Sequence, residues 1–331
     1  MTLNSGQKIL AWALLLFCIL AIPVALFSKS ASSTSEDKND KERNEKTSFA
    51  FLKKDRILVV KLAGTIYNDE DQSSIFPDPS SPSYVRKKLR RAAQDEHVKA
   101  VLLRINSPGG TVAMSQEITD AVKELKAHDK PVIASMGDVT ASGGYYIASQ
   151  ADKIFASPGT LTGSIGVIMH LVNLSEIEKK IGISPVTIKS GQFKDIGTMD
   201  RAPTKEEVSL LNDIIMDSYD QFVTAVSEGR KMDKEAVKKL ADGRIYSGRQ
   251  ALKVKLIDEL GGYEEALGAI KSICKKKYGK DLYVDDGHSS AGMIAALLDA
   301  KMQAPKIDLF QSVLPESLNP KFSNQPLWMM E

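Results

Sequence analysis

Ser142 stands in Ala141-Ser142-Gly143-Gly144-Tyr145-Tyr146, between small residues, where an apolar stretch gives way to a helical one. A serine there can cap the helix with its hydroxyl. It can equally act as a nucleophile, because a helix N-terminus favours developing negative charge. A second turn, Ser107-Pro108-Gly109-Gly110, follows another apolar stretch. Paired glycines clear the backbone of side chains, so N–H groups at such turns can converge on an anion. Two donors aimed at one point form an oxyanion hole for acyl transfer. Tight turns with close packing account for the same residues. Neither turn fits G-x-x-x-x-G-K-[ST] or G-x-G-x-x-G, the phosphate-binding patterns. The pair Tyr145-Tyr146 either lines a substrate pocket or belongs to the core.

Other chemistries find little support. His97, His128, His170 and His288 are scattered, without metal-ligand spacing. Cys18 and Cys274 lie far apart. A metal centre or a disulfide framework is therefore not expected. His170 follows Ser142 by 28 residues, a separation that leaves a Ser/His pairing open. The 44 basic and 42 acidic residues leave a net charge of +2, which gives no support for nucleic-acid binding. With 43% apolar and 26% charged residues, the chain has the composition of a globular protein with a core.

The elements that must position Ser142 and the glycine turns alternate between strand and helix. Strands are expected at Arg56 to Ala63, Val98 to Asn106, Pro131 to Met136, Ile154 to Ala156, Ile165 to Val172 and Ser184 to Lys189. Helices are expected at Tyr84 to Glu96, Val112 to Ala127 and Gly143 to Ser149. This alternation argues for an α/β domain. From Thr204 the pattern turns helical. Thr204-Lys205-Glu206-Glu207 reads as a capping box, and apolar spacing runs from Val208 to Val226. Shorter helices are expected near Lys234 to Leu240, Gly248 to Lys255 and Tyr263 to Lys277, with a strand at Leu256 to Leu260. Met293 to Leu298 could form one more helical turn. The Pro-containing stretch that follows reads as irregular. Its apolar end, Leu327-Trp328-Met329-Met330, could dock on the body or occupy a peptide groove.

Ile9 to Phe27 is an unbroken apolar run of 19 residues, long enough as a helix to cross a hydrocarbon core of about 30 Å. It is longer than the usual apolar region of a cleaved leader, and Ser28-Lys29-Ser30 makes a poor cleavage site. The run is read as a retained anchor in membrane lipid. Ser28 to Ser48 is polar and reads as a flexible tether. Counting basic residues alone would place the segment after the anchor inside the cell. The organisation expected is a short N-terminal segment (1–8), an anchor (9–27), a tether (28–48), a catalytic body (49–280) and an irregular tail (281–331).

Four motifs carry a family resemblance: Ala141-Ser142-Gly143-Gly144-Tyr145-Tyr146, Leu161-Thr162-Gly163-Ser164-Ile165-Gly166-Val167, Ser190-Gly191-Gln192-Phe193-Lys194-Asp195, and Asp242 to Ala251 followed by Leu256 to Gly262. In order and spacing they resemble the signal peptide peptidase family of membrane-bound serine peptidases, SppA. Lys255, where glycine is expected, is a small departure. The resemblance implies a Ser/Lys dyad with Ser142 as nucleophile, Lys194 as general base and Ser164 as the hydroxyl that orients it. It implies Gly110 and Gly143 as oxyanion donors and no cofactor; of the aromatic pair, Tyr145 is taken as a substrate contact. It also implies a crotonase- and ClpP-like spiral of β-β-α units with a C-terminal helical part. The serine and lysine of one site would come from neighbouring subunits of a homo-oligomeric ring, an octamer. The substrates implied are extended apolar peptides such as remnant signal peptides. The body would lie outside the cytoplasm, on a single-pass protein of the cytoplasmic membrane, against the basic-residue count.

Three other readings compete. Ile105-Asn106-Ser107-Pro108-Gly109-Gly110 is also similar to the caseinolytic protease ClpP, where the base is a histidine, and His170 would fill that place. A non-catalytic membrane ring or acyl-CoA chemistry would use the same fold. The presence of every dyad element argues against the ring, and the anchor argues against the acyl-CoA enzyme.

Overall fold

The computed structural model describes residues 54–69, 78–286 and the backbone of 327–329. The chain divides into two units, Met1–Lys54 and Asp55–Glu331, and the described residues fall almost wholly in the second. The expected anchor, the tether, the turn at Met293 to Leu298 and His288 lie outside the described residues. Among the described residues no helix is long and apolar enough to cross a membrane.

The architecture is α/β around a mostly parallel sheet. Strand β1 (Arg56–Ala63) is followed by helix α1 (Pro82–Gln94), β2 (Val98–Ser107) and the short β3 (Gly109–Thr111). Helix α2 (Val112–Ala127), β4 (Val132–Ala141), α3 (Gly143–Ala148), β5 (Lys153–Ala156) and β6 (Leu161–Gly163) come next. The helical part comprises α4 (Ser175–Lys180), α5 (Lys205–Arg230), α6 (Lys234–Lys238), α7 (Gly248–Lys253) and α8 (Tyr263–Tyr278). Short strands β7 (Ile245–Ser247), β8 (Glu259–Leu260), β9 (Tyr283–Asp285) and β10 (Leu327–Met329) complete it.

The main path of the sheet runs β7-β6-β4-β2-β1-β9, parallel except for the antiparallel β6–β7 pair. Strand β4 is long enough to take two partners along one edge. Its first half pairs with β5 and its last residues with β6. Alternate side chains of the central strands go to opposite faces, as strand geometry requires. Leu58, Val60 and Leu62 enter one core with α1, α2, α3 and α5, whereas Ile57, Val59, Ala100, Leu102 and Phe155 enter a second core against Ala266, Ile270 and Cys274 of α8. Both faces are covered, so these parallel strands read as continuous apolar runs. Helix α5 is started by the expected capping box. The Thr204 hydroxyl accepts from the Glu207 N–H, and the Glu207 carboxylate accepts from the Thr204 N–H. Phe222 of α5 is fully buried and meets Tyr146 edge-on, with ring centroids 5.2 Å apart.

Two strand expectations fail. Ile165 to Val172 is not a strand; the strand is Leu161–Gly163, just before it. Ser184 to Lys189 is irregular, with Val186 85% and Ile188 96% exposed. An apolar run forms a strand only if an edge is free to pair with it, and the outer edge of β6 is taken by β7. Of the expected strand at Leu256 to Leu260 only Glu259–Leu260 pairs, with β5. Beyond residue 281, expected to be irregular, β9 pairs parallel with β1 and β10 pairs antiparallel with β3.

Because Phe222 fills the contact between α5 and α3, Phe222→Ala is expected to lower unfolding stability by about 3–5 kcal/mol. A urea melt followed by tryptophan-independent far-UV signal checks this.

Candidate active site

Three parallel strands end side by side. Ser107 of β2 lies opposite Thr140 of β4, and Ala141 of β4 lies opposite Gly163 of β6. Ligands of open α/β sheets gather at such carboxyl ends. The next residues on these strands bring the candidates together: Gly109-Gly110 after β2, Ser142-Gly143 after β4, and Ser164 after β6.

Two threonines brace this edge. The Thr140 hydroxyl donates to Ile105 C=O at 2.7 Å, and the Thr162 hydroxyl donates to Thr140 C=O at 2.6 Å. Each precedes a candidate serine by two residues, in Thr140-Ala141-Ser142 and Thr162-Gly163-Ser164. That repeated T-x-S spacing was the signal available in the sequence for these two braces.

Ser142 sits at the bend between β4 and α3 with φ 50° and ψ −119°, in the region where side-chain-bearing residues are strained. Its N–H donates to Gly163 C=O at 2.8 Å, and its C=O accepts from Tyr146 N–H at 2.8 Å. Its hydroxyl does not cap α3. The residue is 1% exposed, and among the described residues nothing hydrogen-bonds Oγ. The helix-capping reading of this serine is thereby set aside. A buried hydroxyl without a partner loses the free energy water would supply. Such a site persists when it serves chemistry rather than stability.

Gly163 and Ser164 follow each other with φ 78° and 49°. A Cβ on Gly163 would also lie 2.5 Å from the Tyr246 ring, so only glycine fits. Ser164 is nearly buried and its N–H donates to Arg244 C=O at 2.9 Å. The Gly163 carbonyl thus ties the backbone just before Ser164 to Ser142.

The glycine donors are arranged by strand alternation. Ile66 donates its N–H to Gly109 C=O and accepts from Thr111 N–H, at 2.8 and 2.7 Å. The N–H and C=O of Gly110 therefore face the opposite edge of β3. Strand β10 lies on that edge, with Trp328 opposite Gly110. A side chain on Gly110 is impossible, since its Cβ would stand 1.8 Å from Ile66 C=O. Gly143, first residue of α3, has an N–H with no partner inside the helix.

Tyr145 is corrected. It is fully buried and its hydroxyl donates to Leu256 C=O at 2.8 Å, so it belongs to the core and lines no substrate groove in this chain. Burial drives its phenol pKa well up. Tyr146 is nearly as deep, and burial raises its pKa to about 12.

Lys194 lies elsewhere. It is exposed on the irregular segment between α4 and α5, and its N–H donates to Gly191 C=O at 3.1 Å. Since the Ser142 hydroxyl has no partner, neither Lys194 nor the half-buried His170 is bonded to it within one chain. Around Lys194 the chain leaves Ile177, Ile181, Ile183, Val186, Ile188, Phe193 and Met199 exposed. Among the described residues no group of acidic, histidine or cysteine side chains could hold a metal ion.

Residues 124–276 match the peptidase family S49. The chain is 37% identical over 246 residues to a protein of Enterococcus faecium named "Putative signal peptide peptidase SppA", covering 74% of this chain and 71% of that one. It is 34% identical over 232 residues to "Protease 4" of Haemophilus influenzae, covering 70% of this chain and 36% of that one. It is also 34% identical over 219 residues to "Serine protease SPPA, chloroplastic" of Arabidopsis thaliana, covering 66% and 32%.

The strained bend makes a stability prediction independent of any substrate. Glycine adopts positive φ freely, so Ser142→Gly should be more stable than Ser142→Ala by about 1 kcal/mol. Equal denaturation midpoints would show that the bend carries no strain.

Proposed function

The chain belongs to peptidase family S49 and is a serine protease, and on that premise we propose that Ser142 is its nucleophile and Lys194 of a neighbouring copy its general base. The observation that carries this reading is the Ser142 hydroxyl, buried and unbonded at a strained strand-to-helix bend.

The division of the dyad between copies follows from where each half stands. Lys194 is exposed on a segment rich in bare apolar side chains, more than a lone soluble surface ordinarily shows. A second copy covering that segment would bury the apolar groups and desolvate the amine together. The reference pKa of a lysine is about 10.4, so only about one in 2,500 is neutral at pH 7. Desolvation disfavours the charged form and raises the neutral fraction.

In the reaction, neutral Lys194 takes the Ser142 proton as Oγ attacks the peptide carbonyl. The Gly110 and Gly143 N–H groups receive the negative charge on the tetrahedral oxygen. Lys194 then protonates the leaving amine. Water, deprotonated by the same lysine, attacks the acyl-enzyme and releases the acid, and the proton returns to Ser142. Ser164, tied through Gly163 to Ser142, orients the amine.

The substrates proposed are extended apolar peptides, remnant signal peptides among them. Strand β10 supports this, because it shows the free edge of β3 accepting an extended segment beside Gly110. The assembly proposed is a ring, an octamer, of the crotonase- and ClpP-like spiral. It would be anchored through residues 9–27 in the cytoplasmic membrane, with the body on the outer side.

Ser142→Ala and Lys194→Ala should each reduce peptide hydrolysis at least a thousandfold with assembly intact, while His170→Ala keeps it. Loss in His170→Ala with activity in Lys194→Ala would transfer the base to the histidine. Co-assembly of the two dead variants should restore activity at about a quarter of the sites if each site draws on two copies. No restoration would place the dyad within one chain. A chain ending at Asp286 should show a lower KM for an apolar peptide with kcat unchanged, because β10 no longer competes. An unchanged KM would mean that substrate does not use that edge.

A further inference from the structure

Lys194 is followed directly by a carboxylate, Asp195. An acidic neighbour favours the ammonium and would hold a lysine charged, the wrong state for a base. The structure shows what happens to that carboxylate. Asp195 Oδ1 accepts from Lys189 Nζ at 2.6 Å and from Arg201 Nη2 at 3.0 Å, and Oδ2 accepts from Arg201 Nε at 3.2 Å. Arg201 uses the rest of its guanidinium on Glu207. Its Nη1 donates to Oε2 at 2.8 Å and its Nη2 to Oε1. Glu207 is 2% exposed and also accepts from the Thr204 N–H that begins α5. A planar guanidinium suits two carboxylates in this forked way, where a lysine would not.

The four groups sum to zero charge: Lys189 and Arg201 against Asp195 and Glu207. The quartet also links three pieces of chain, the segment at Lys189, the turn at Asp195 and the buried start of α5. Within the turn bearing Lys194 the backbone bonds are local, Lys194 N–H to Gly191 C=O, Ile196 N–H to Phe193 C=O and Thr198 N–H to Asp195 C=O, and Lys189 Nζ also donates to Gln192 C=O at 3.0 Å.

We propose that Arg201 is a positioning residue for the general base. It fastens the Lys194 turn to the start of α5 and engages the neighbouring carboxylate in a closed, neutral cluster. This rests on the assignment of Lys194 as the base. The Arg201 and Lys189 bonds hold the Asp195 carboxyl far below its ordinary pKa, and Arg201 lowers that of Glu207 to about 2, so both stay ionised in the working range. Glu178 and Lys179 of α4 and Asp200 line the same hollow as Asp195 and Arg201, and none of them changes in the variants below.

The signs of the effect follow from charge. Arg201→Gln leaves the cluster one negative charge in excess, which favours the ammonium of Lys194. The rising limb of kcat/KM against pH should move up by about half to one pH unit, since a single charge on the neighbouring residue acts through a high effective dielectric. Asp195→Asn keeps the size of the side chain and leaves one positive charge in excess, so the limb should move down by a similar amount. Arg201→Lys keeps the charge and loses the fork. Its limb should stay in place while kcat falls several-fold.

The experiment uses the full-length chain and an apolar fluorogenic peptide, with assembly checked for each variant. Opposite limb shifts for Arg201→Gln and Asp195→Asn support the proposal. A shared loss of kcat with unmoved limbs overturns it, because a purely structural cluster would behave that way. Should Arg201→Gln fail to assemble, Asp195→Asn alone decides by the direction of its shift. Lys194→Ala run alongside separates the two ideas. If it is inactive while the limbs stay put, only the role of Arg201 falls; if it is active, the lysine assignment falls with it.

Discussion

The hydroxyl of Ser142 is buried with no hydrogen-bond partner among the described residues, on a backbone bend that serine avoids, and the surrounding packing has to offset both costs. The offset is visible on each side. Strand β4 reaches the bend fully paired, α3 leaves it fully buried, and the Gly163 carbonyl clamps its amide. The arrangement gives up a common stabilising contact and leaves the oxygen unbonded. Under the proposed assignment, that is what ties the fold of this chain to peptide-bond chemistry.

The second constraint comes from the proposed division of the dyad between copies. Ser142 stands beside the ends of β2 and β6, which are buried and braced. The basic group assigned to it stands on an outlying segment whose apolar side chains face solvent. In the proposed assembly, one copy's bare margin closes over the next copy's rigid centre. Under that reading, association and activation of the amine are a single event, driven by the same burial of apolar surface.

The sequence carried the interior of this protein well and its outer segment poorly, for physical reasons. Helix α2 and the capping box at Thr204 follow from local spacing and local hydrogen bonds, and both stand where expected. The strands of the central sheet were legible because burial on both faces leaves unbroken apolar runs. The same rule misled at Ser184 to Lys189, where Val186 and Ile188 are apolar for a reason other than a strand. Ser142 was legible as one of two things, a cap or a nucleophile, and only the geometry of its hydroxyl separates them. Tyr145 could not be placed by type, since a tyrosine at a site and a tyrosine in a core look alike until its hydroxyl is seen bonded to Leu256. The quartet around Arg201 was invisible, because four charged residues spread over 19 positions look like any solvated surface.

The two threonine hydroxyls that stitch β2, β4 and β6 have a consequence for how such a protein can diversify. They spend their donors on carbonyls of neighbouring strands, so the ends of those strands move as one plate. Nothing in that stitching reaches the chain between residues 171 and 203. Insertions, deletions or exchanges of that rim can accumulate without loosening the plate. Close kin would then share the plate nearly unchanged while their rims drift, and a grafted rim should bring its own preferences to an unaltered foundation.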